Sequence, residues 1–95
     1  MSQKVISGRS LMLAQTYLKQ GALVPAHQHD NEQMTYVLQG ALRFQVNGEV
    51  MIVREGEVLL IAAGTPHQAE ALEDTFQLDI FSPPRAERIA DEPEA

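Results

Sequence analysis

The sequence predicts an all-β domain, a sandwich or barrel of short strands, and three observations carry that expectation. No long segment holds a helical hydrophobic period. Short runs rich in β-branched and aromatic residues alternate between apolar and polar positions. Turn-forming residues punctuate these runs at regular intervals: Gly21, Gly40, Asn47-Gly48, Glu55-Gly56, Gly64-Thr65-Pro66 and Pro83-Pro84.

The first expected strand runs from 10 to 20, with Leu11, Leu13 and Tyr17 among polar neighbours, and ends at Gly21. Residues 34–38 follow, with the β-formers Thr35, Tyr36 and Val37, and stop at Gly40. In 41–46, Leu42, Phe44 and Val46 share one face while Arg43 and Gln45 share the other, the period-two signature of a half-buried strand. Asn47-Gly48 suits a type I′ hairpin, whose two central residues both need positive φ. Residues 49–53 form the return strand, and Glu55-Gly56 turns the chain into the apolar strand 58–61. Two more strands are expected at 67–72 and 75–81, separated by Glu73-Asp74. Pro83-Pro84 then ends any sheet, because proline cannot donate to a ladder. The expected core includes Leu42, Phe44, Val46, Val58, Leu60 and Leu78. One domain over 1–85 and an acidic tail over 86–95, nearly free of large apolar residues, complete the organisation.

Composition narrows the chemistry. The chain has 95 residues and no cysteine, so disulfides and thiolate metal sites are excluded, and metal ligands must be imidazole, carboxylate or amide groups. Seven basic against thirteen acidic residues give a formal charge of −6, which offers no electrostatic footprint for nucleic acid and no polybasic patch for anionic lipid. The longest apolar run, 58–63, is too short to cross a bilayer, and the N-terminus does not read as a signal peptide. The expectation is a cytoplasmic protein with a small-molecule ligand.

All the histidines stand in suggestive places. His27-Gln28-His29 is an H-x-H pair, and residues i and i+2 of a strand point to one face, so both imidazoles can reach one ion. Gln33 shares their parity and Glu32 does not, so a regular strand turns Gln33 toward the ion; a kink at the turn-forming Asp30-Asn31 would change this. His67 follows the Gly-Thr-Pro turn, far off in sequence. A histidine is more often a solvated or hydrogen-bonded side chain than a ligand, and an H-x-H pair alone does not separate the two.

The motifs around these residues do. Gly21-(x5)-His27-x-His29-(x3)-Gln33-(x6)-Gly40 resembles the first cupin motif, G(x)5HxH(x)3–4E(x)6G. Gly56-(x5)-Ala62-x-Gly64-(x2)-His67 resembles the second, G(x)5PxG(x)2H(x)3N. The resemblance implies a cupin double-stranded β-helix, a jelly-roll barrel, with one divalent metal between its sheets, held by His27, His29, Gln33 and His67. It also implies a homodimer packed sheet against sheet. Three positions depart from the pattern: Gln33 replaces glutamate, Ala62 replaces proline and Ala71 replaces asparagine. The alanines bear on turn rigidity. The glutamine bears on chemistry, because an amide oxygen ligates without charge and leaves the full +2 on the ion. Such a site favours an anionic ligand, and its imidazole and amide donors are compatible with Mn, Fe, Co, Ni or Zn.

The C-terminal segment Asp79-Ile80-Phe81-Ser82-Pro83-Pro84-Arg85 carries a second resemblance. Its D-x-F-S-P-x-R pattern is similar to small cupins of the pectin-degradation KdgF type, which convert 4,5-unsaturated uronates to linear keto acids. The resemblance implies catalytic roles for Asp79 and Arg85 and substrate contact by Phe81 and Arg85. The simple alternative is that Leu78, Ile80 and Phe81 serve the core and Pro-Pro-Arg leads out of it. Three function classes follow: a metal-dependent isomerase or lyase on a small anionic substrate, a metal-dependent dioxygenase, and a non-catalytic ligand-binding cupin.

Overall fold

The computed structural model describes residues 2–85. Nine strands follow in order: β1 (Ser2–Ser7), β2 (Met12–Leu18), β3 (Leu23–His27), β4 (Glu32–Gln39), β5 (Ala41–Val46), β6 (Glu49–Arg54), β7 (Val58–Ile61), β8 (His67–Ala71) and β9 (Thr75–Ser82). Among the described residues there is no helix, and so no helix long and apolar enough to cross a membrane. The strands make a five-stranded sheet, β1-β2-β9-β4-β7, and a four-stranded sheet, β3-β8-β5-β6, with every pairing antiparallel. The acidic tail expected at 86–95 lies outside the described residues.

The turn chemistry operates as expected. Asn47 has φ 49° and Gly48 φ 86°, the pair of positive values that lets β5 and β6 twist together in a two-residue hairpin. Gly40 has φ 98°, and a Cβ there would meet Asp74 O at 2.5 Å and Thr75 Oγ1 at 2.6 Å, so glycine is required where β4 hands the chain to the second sheet. Strand β1 was not anticipated: its polar sequence SQKVIS carries little β signal, and it forms by pairing with residues 12–17 of β2. The single strand expected over 10–20 is β2 alone.

The main core lies between the sheets. Leu18, Val37, Leu42, Phe44, Val53, Ile61, Ala69 and Ala71 pack together there, with a smaller cluster of Met12, Ala14 and Phe81. Leu42 and Phe44 are core residues, as their alternation predicts. Val58 and Leu60 are not: they are 57% and 55% exposed, and their neighbour Ile61 is the buried residue of β7. Leu78 is half-buried and shares the outer parity of β9. The cause is a reversal of the usual pattern in the five-stranded sheet. Its inner face carries Thr16, Gln33, Thr35, Gln77 and Asp79, all buried, while its outer face carries the exposed Met34, Tyr36, Leu38, Val58 and Leu60. Assigning the apolar residues inward therefore inverts the parity of β7 and β9.

The outer face has a definite register. Ile6, Leu13, Ile80, Met34 and Leu60 are successive partners across all five strands. Two residues along, Lys4, Gln15, Leu78, Tyr36 and Val58 form the next row.

Candidate metal centre and cavity

The three histidines converge from two places. His27 ends β3 and His67 begins β8, and the two are direct partners across the four-stranded sheet. Their ring centroids lie 4.3 Å apart. His29 is not on a strand. It sits in the segment that bends at Asp30-Asn31 and carries the chain into β4 of the other sheet. A hydrogen bond from Gly64 N to His29 O, 2.7 Å, ties that segment to the turn before His67. A second, from Asn31 Nδ2 to Pro83 O at 2.5 Å, ties it to the segment leading to Arg85. Gln33 is the second residue of β4, buried, while Glu32 is exposed. The structure thus places Gln33 inward and Glu32 outward as expected, though the chain crosses between sheets rather than continuing as one strand.

The imidazoles are oriented alike. His27 Nδ1 lies 2.8 Å from Pro25 O, His29 Nδ1 3.0 Å from Asn31 O, and His67 Nδ1 2.8 Å from Thr65 O. A carbonyl can only accept, so each Nδ1 carries its proton and donates it. Each neutral ring then presents the lone pair of Nε2, the tautomer that metal-ligating histidines take when the other nitrogen is held by a carbonyl.

Two observations test whether these residues fit a metal ion. His67 Nε2 is buried and has no hydrogen-bond partner, an arrangement that is costly without a ligand. His29 Nε2 lies 3.0 Å from Gln33 Oε1, so two lone-pair atoms face each other. Two donor atoms each about 2.1 Å from one ion, at right angles, stand about 3 Å apart. Ligand atoms of His27, His29 and His67 all lie within 4.8 Å of one another. The three histidines fit a divalent cation, and the Gln33 oxygen lies beside them at His29.

Electrostatics favours the neutral rings. Burial pushes His29 and His67 below the usual histidine range, assisted in both by the nearby positive charge of Arg85. At neutral pH both rings therefore stand ready to ligate.

A cavity of about 320 Å³ opens beside the cluster, with His27, Gln33, His67, Asp79 and Arg85 on its wall. Leu18, Val24 and Phe44 add apolar lining to it. Asp79 is only 4% exposed and accepts hydrogen bonds from Thr35 Oγ1 at 2.6 Å and from Gln77 Nε2 at 3.1 and 3.0 Å. Phe81 is buried behind His29, with ring centroids 5.7 Å apart, and the Arg85 guanidinium lies 5.2 Å above the Phe81 ring. The sequence reasoning gave Thr35 no role beyond strand formation and noted Gln77 only for sharing the parity of Asp79. Their signal was their parity with Gln33 and Asp79 on strands whose apolar residues occupy the other face.

A two-sheet β-barrel with a three-histidine cluster between its sheets defines a class, and the family comparison agrees: the cupin domain family matches residues 14–82, and the chain belongs to that family. Within it, the chain is 30% identical over 79 residues to the pectin degradation protein KdgF of Dickeya dadantii, spanning 81% of this chain and 72% of that protein. It superposes on the structure of KdgF from a Halomonas species with a TM-score of 0.86 and 32% identity, over 90% of this chain and 81% of that one. A 50-residue stretch is 42% identical to YdeC, an uncharacterized helix-turn-helix transcriptional regulator of Bacillus subtilis, but the match spans only 17% of that regulator and 53% of this chain.

Proposed function

We propose that this protein is a metal-dependent isomerase or lyase of sugar acids, and that its reaction is the ring opening of 4,5-unsaturated uronates. The observation that carries the proposal is the shared cavity: His27, His67 and Gln33 line the same cavity as one buried carboxylate, Asp79, and one guanidinium, Arg85. The resemblance to two KdgF proteins, one of them a pectin degradation protein, supports the substrate class.

In this reading His27, His29, His67 and Gln33 hold one divalent ion of the Mn, Fe, Co, Ni or Zn group. Bound there, it supplies a Lewis acid that polarises a substrate oxygen. Arg85 pairs with the substrate carboxylate through its planar fork. Phe81 supports Arg85 from below. Asp79 takes the proton of the anomeric hydroxyl, the bond between the anomeric carbon and the ring oxygen breaks, and an aldehyde and an enolate result. Asp79 returns a proton to carbon, giving the linear keto acid with no net gain or loss of atoms.

The test is turnover of a 4,5-unsaturated uronate by zinc-loaded protein, followed as loss of the conjugated absorbance. Turnover is expected. Turnover that requires oxygen and a redox metal would establish the dioxygenase reading, and saturable binding without turnover would establish the non-catalytic one.

The proposal includes a cytoplasmic homodimer. The register of the outer sheet face supports the assembly, since Ile6, Met34, Tyr36, Leu38, Val58 and Leu60 are each at least 42% exposed on it. A patch of this kind on a small domain marks an interaction site.

A further inference from the structure

The Gln33 amide and the Asp79 carboxylate are joined by an unbroken set of hydrogen bonds, and with the carboxylate ionised, as a general base must be, the number of available protons fixes its direction. Gln33 Nε2 donates to Thr35 Oγ1 at 2.9 Å, and Thr35 Oγ1 donates to Asp79 Oδ1 at 2.6 Å. Thr35 is 0% exposed, so water does not enter the exchange. A hydroxyl has one proton to give and lone pairs to accept with. With that proton committed to the carboxylate, Thr35 can only accept from Gln33. The Gln33 amide must then turn its NH2 group to Thr35 and its oxygen to His29. The opposite amide orientation would better suit His29 Nε2 in isolation, because it would place a donor against a lone pair. It would also leave the Gln33 oxygen and Asp79 competing for one hydroxyl proton.

We infer that Thr35 is a positioning residue: its hydroxyl, committed to Asp79, holds the Gln33 amide with the oxygen facing His29 of the cluster. This rests on the metal reading given above and deepens it. The relay also explains why a neutral side chain stands at 33. The carboxylate lies two hydrogen bonds away, at Asp79, and an anionic ligand at 33 would set two carboxylates on one donor.

The experiment compares wild type, Thr35→Val and Thr35→Ser for affinity toward Zn2+ and Co2+ by chelator competition, with the visible spectrum of the Co2+ form as a second readout. Loss of an outer partner of a metal ligand typically weakens binding by about 10- to 100-fold. That loss is expected for Thr35→Val, together with a changed Co2+ spectrum, and Thr35→Ser should recover both. Wild-type affinity and an unchanged spectrum in Thr35→Val would overturn the inference alone. A wild type that binds neither ion would overturn the metal reading and the inference together. The metal-free wild type gives an independent check if the valine variant does not fold. Proton NMR should show the Gln33 amide protons in contact with the Thr35 methyl group; contact with the His29 ring instead would overturn the inference.

Discussion

His27 and His67 are paired residue to residue across β3 and β8, with ring centroids 4.3 Å apart, so two of the proposed ligands are set by a single sheet register. Loading the metal should therefore stabilise the folded barrel, which presents the ligands together, and not the unfolded chain, which does not. At a free ion concentration of a hundred times Kd the gain is about 2.7 kcal/mol. For a domain of this size that is roughly 10–20 °C in Tm. Calorimetry with and without a chelator measures it. His67→Ala should lose the shift altogether.

Proton competition gives the pH dependence. Burial lowers the folded-state pKa of His29 and His67 below the unfolded value near 6.5. Below about pH 6.5 the unfolded chain thus binds more protons than the folded one, and stability falls as pH falls, levelling only below the folded-state values. Protonated imidazole cannot ligate, so metal affinity falls in the same direction. Titration of Tm and metal content from pH 8 downward should show metal retained through neutrality and lost on acidification.

Gln33→Glu should keep the ion but weaken binding of anionic ligands, because the charge of the loaded site drops by one. In the metal-free protein the same change places a second carboxylate on Thr35, whose one proton already serves Asp79. The metal-free variant should be less stable than wild type at neutral pH, and Asp79→Asn should relieve part of that loss. Thermal melts of the two single variants and the double variant measure the coupling.

Asp79→Asn should lower kcat on a 4,5-unsaturated uronate by about a hundred- to ten-thousand-fold, the range for loss of a general acid–base group, while metal content is unchanged. Arg85→Ala should raise KM more than it lowers kcat, if the guanidinium holds the carboxylate equally in ground and transition states. Steady-state kinetics on both variants separates the two roles. Equal activity of wild type and both variants would remove the reason for this substrate.

The apolar residues exposed on the outer sheet face should be covered by a second copy. Light scattering is expected to give twice the 10.5 kDa chain mass at micromolar concentration. Met34→Lys, on β4 between Ile80 and Leu60 in the first row, should shift it to monomer. A wild-type monomer would count against the dimer.

Much of this was legible in the sequence, for reasons that differ by residue. Leu42 and Phe44 could be read because the four-stranded sheet has an apolar inner face, and there alternation points inward. Asn47-Gly48 could be read because few other pairs tolerate two positive φ values. His27, His29 and His67 could be read because all three occupied motif positions. Val58 and Leu60 were misplaced because the five-stranded sheet lines a polar cavity, and hydrophobicity alone does not say which face is covered. Strand β1 was missed because pairing with β2, not propensity, makes it a strand. The role of Thr35 escaped notice because it lies in a hydroxyl proton shared between two strands, which no local pattern encodes.

The most direct test of the metal centre is a crystal structure with anomalous scattering at the metal absorption edge. One peak is expected, about 2.0–2.2 Å from the Nε2 atoms of His27, His29 and His67 and at bonding distance from Gln33 Oε1. Metal-soaked crystals with no peak there, or a peak bonded to Glu32 in place of Gln33, would contradict the account.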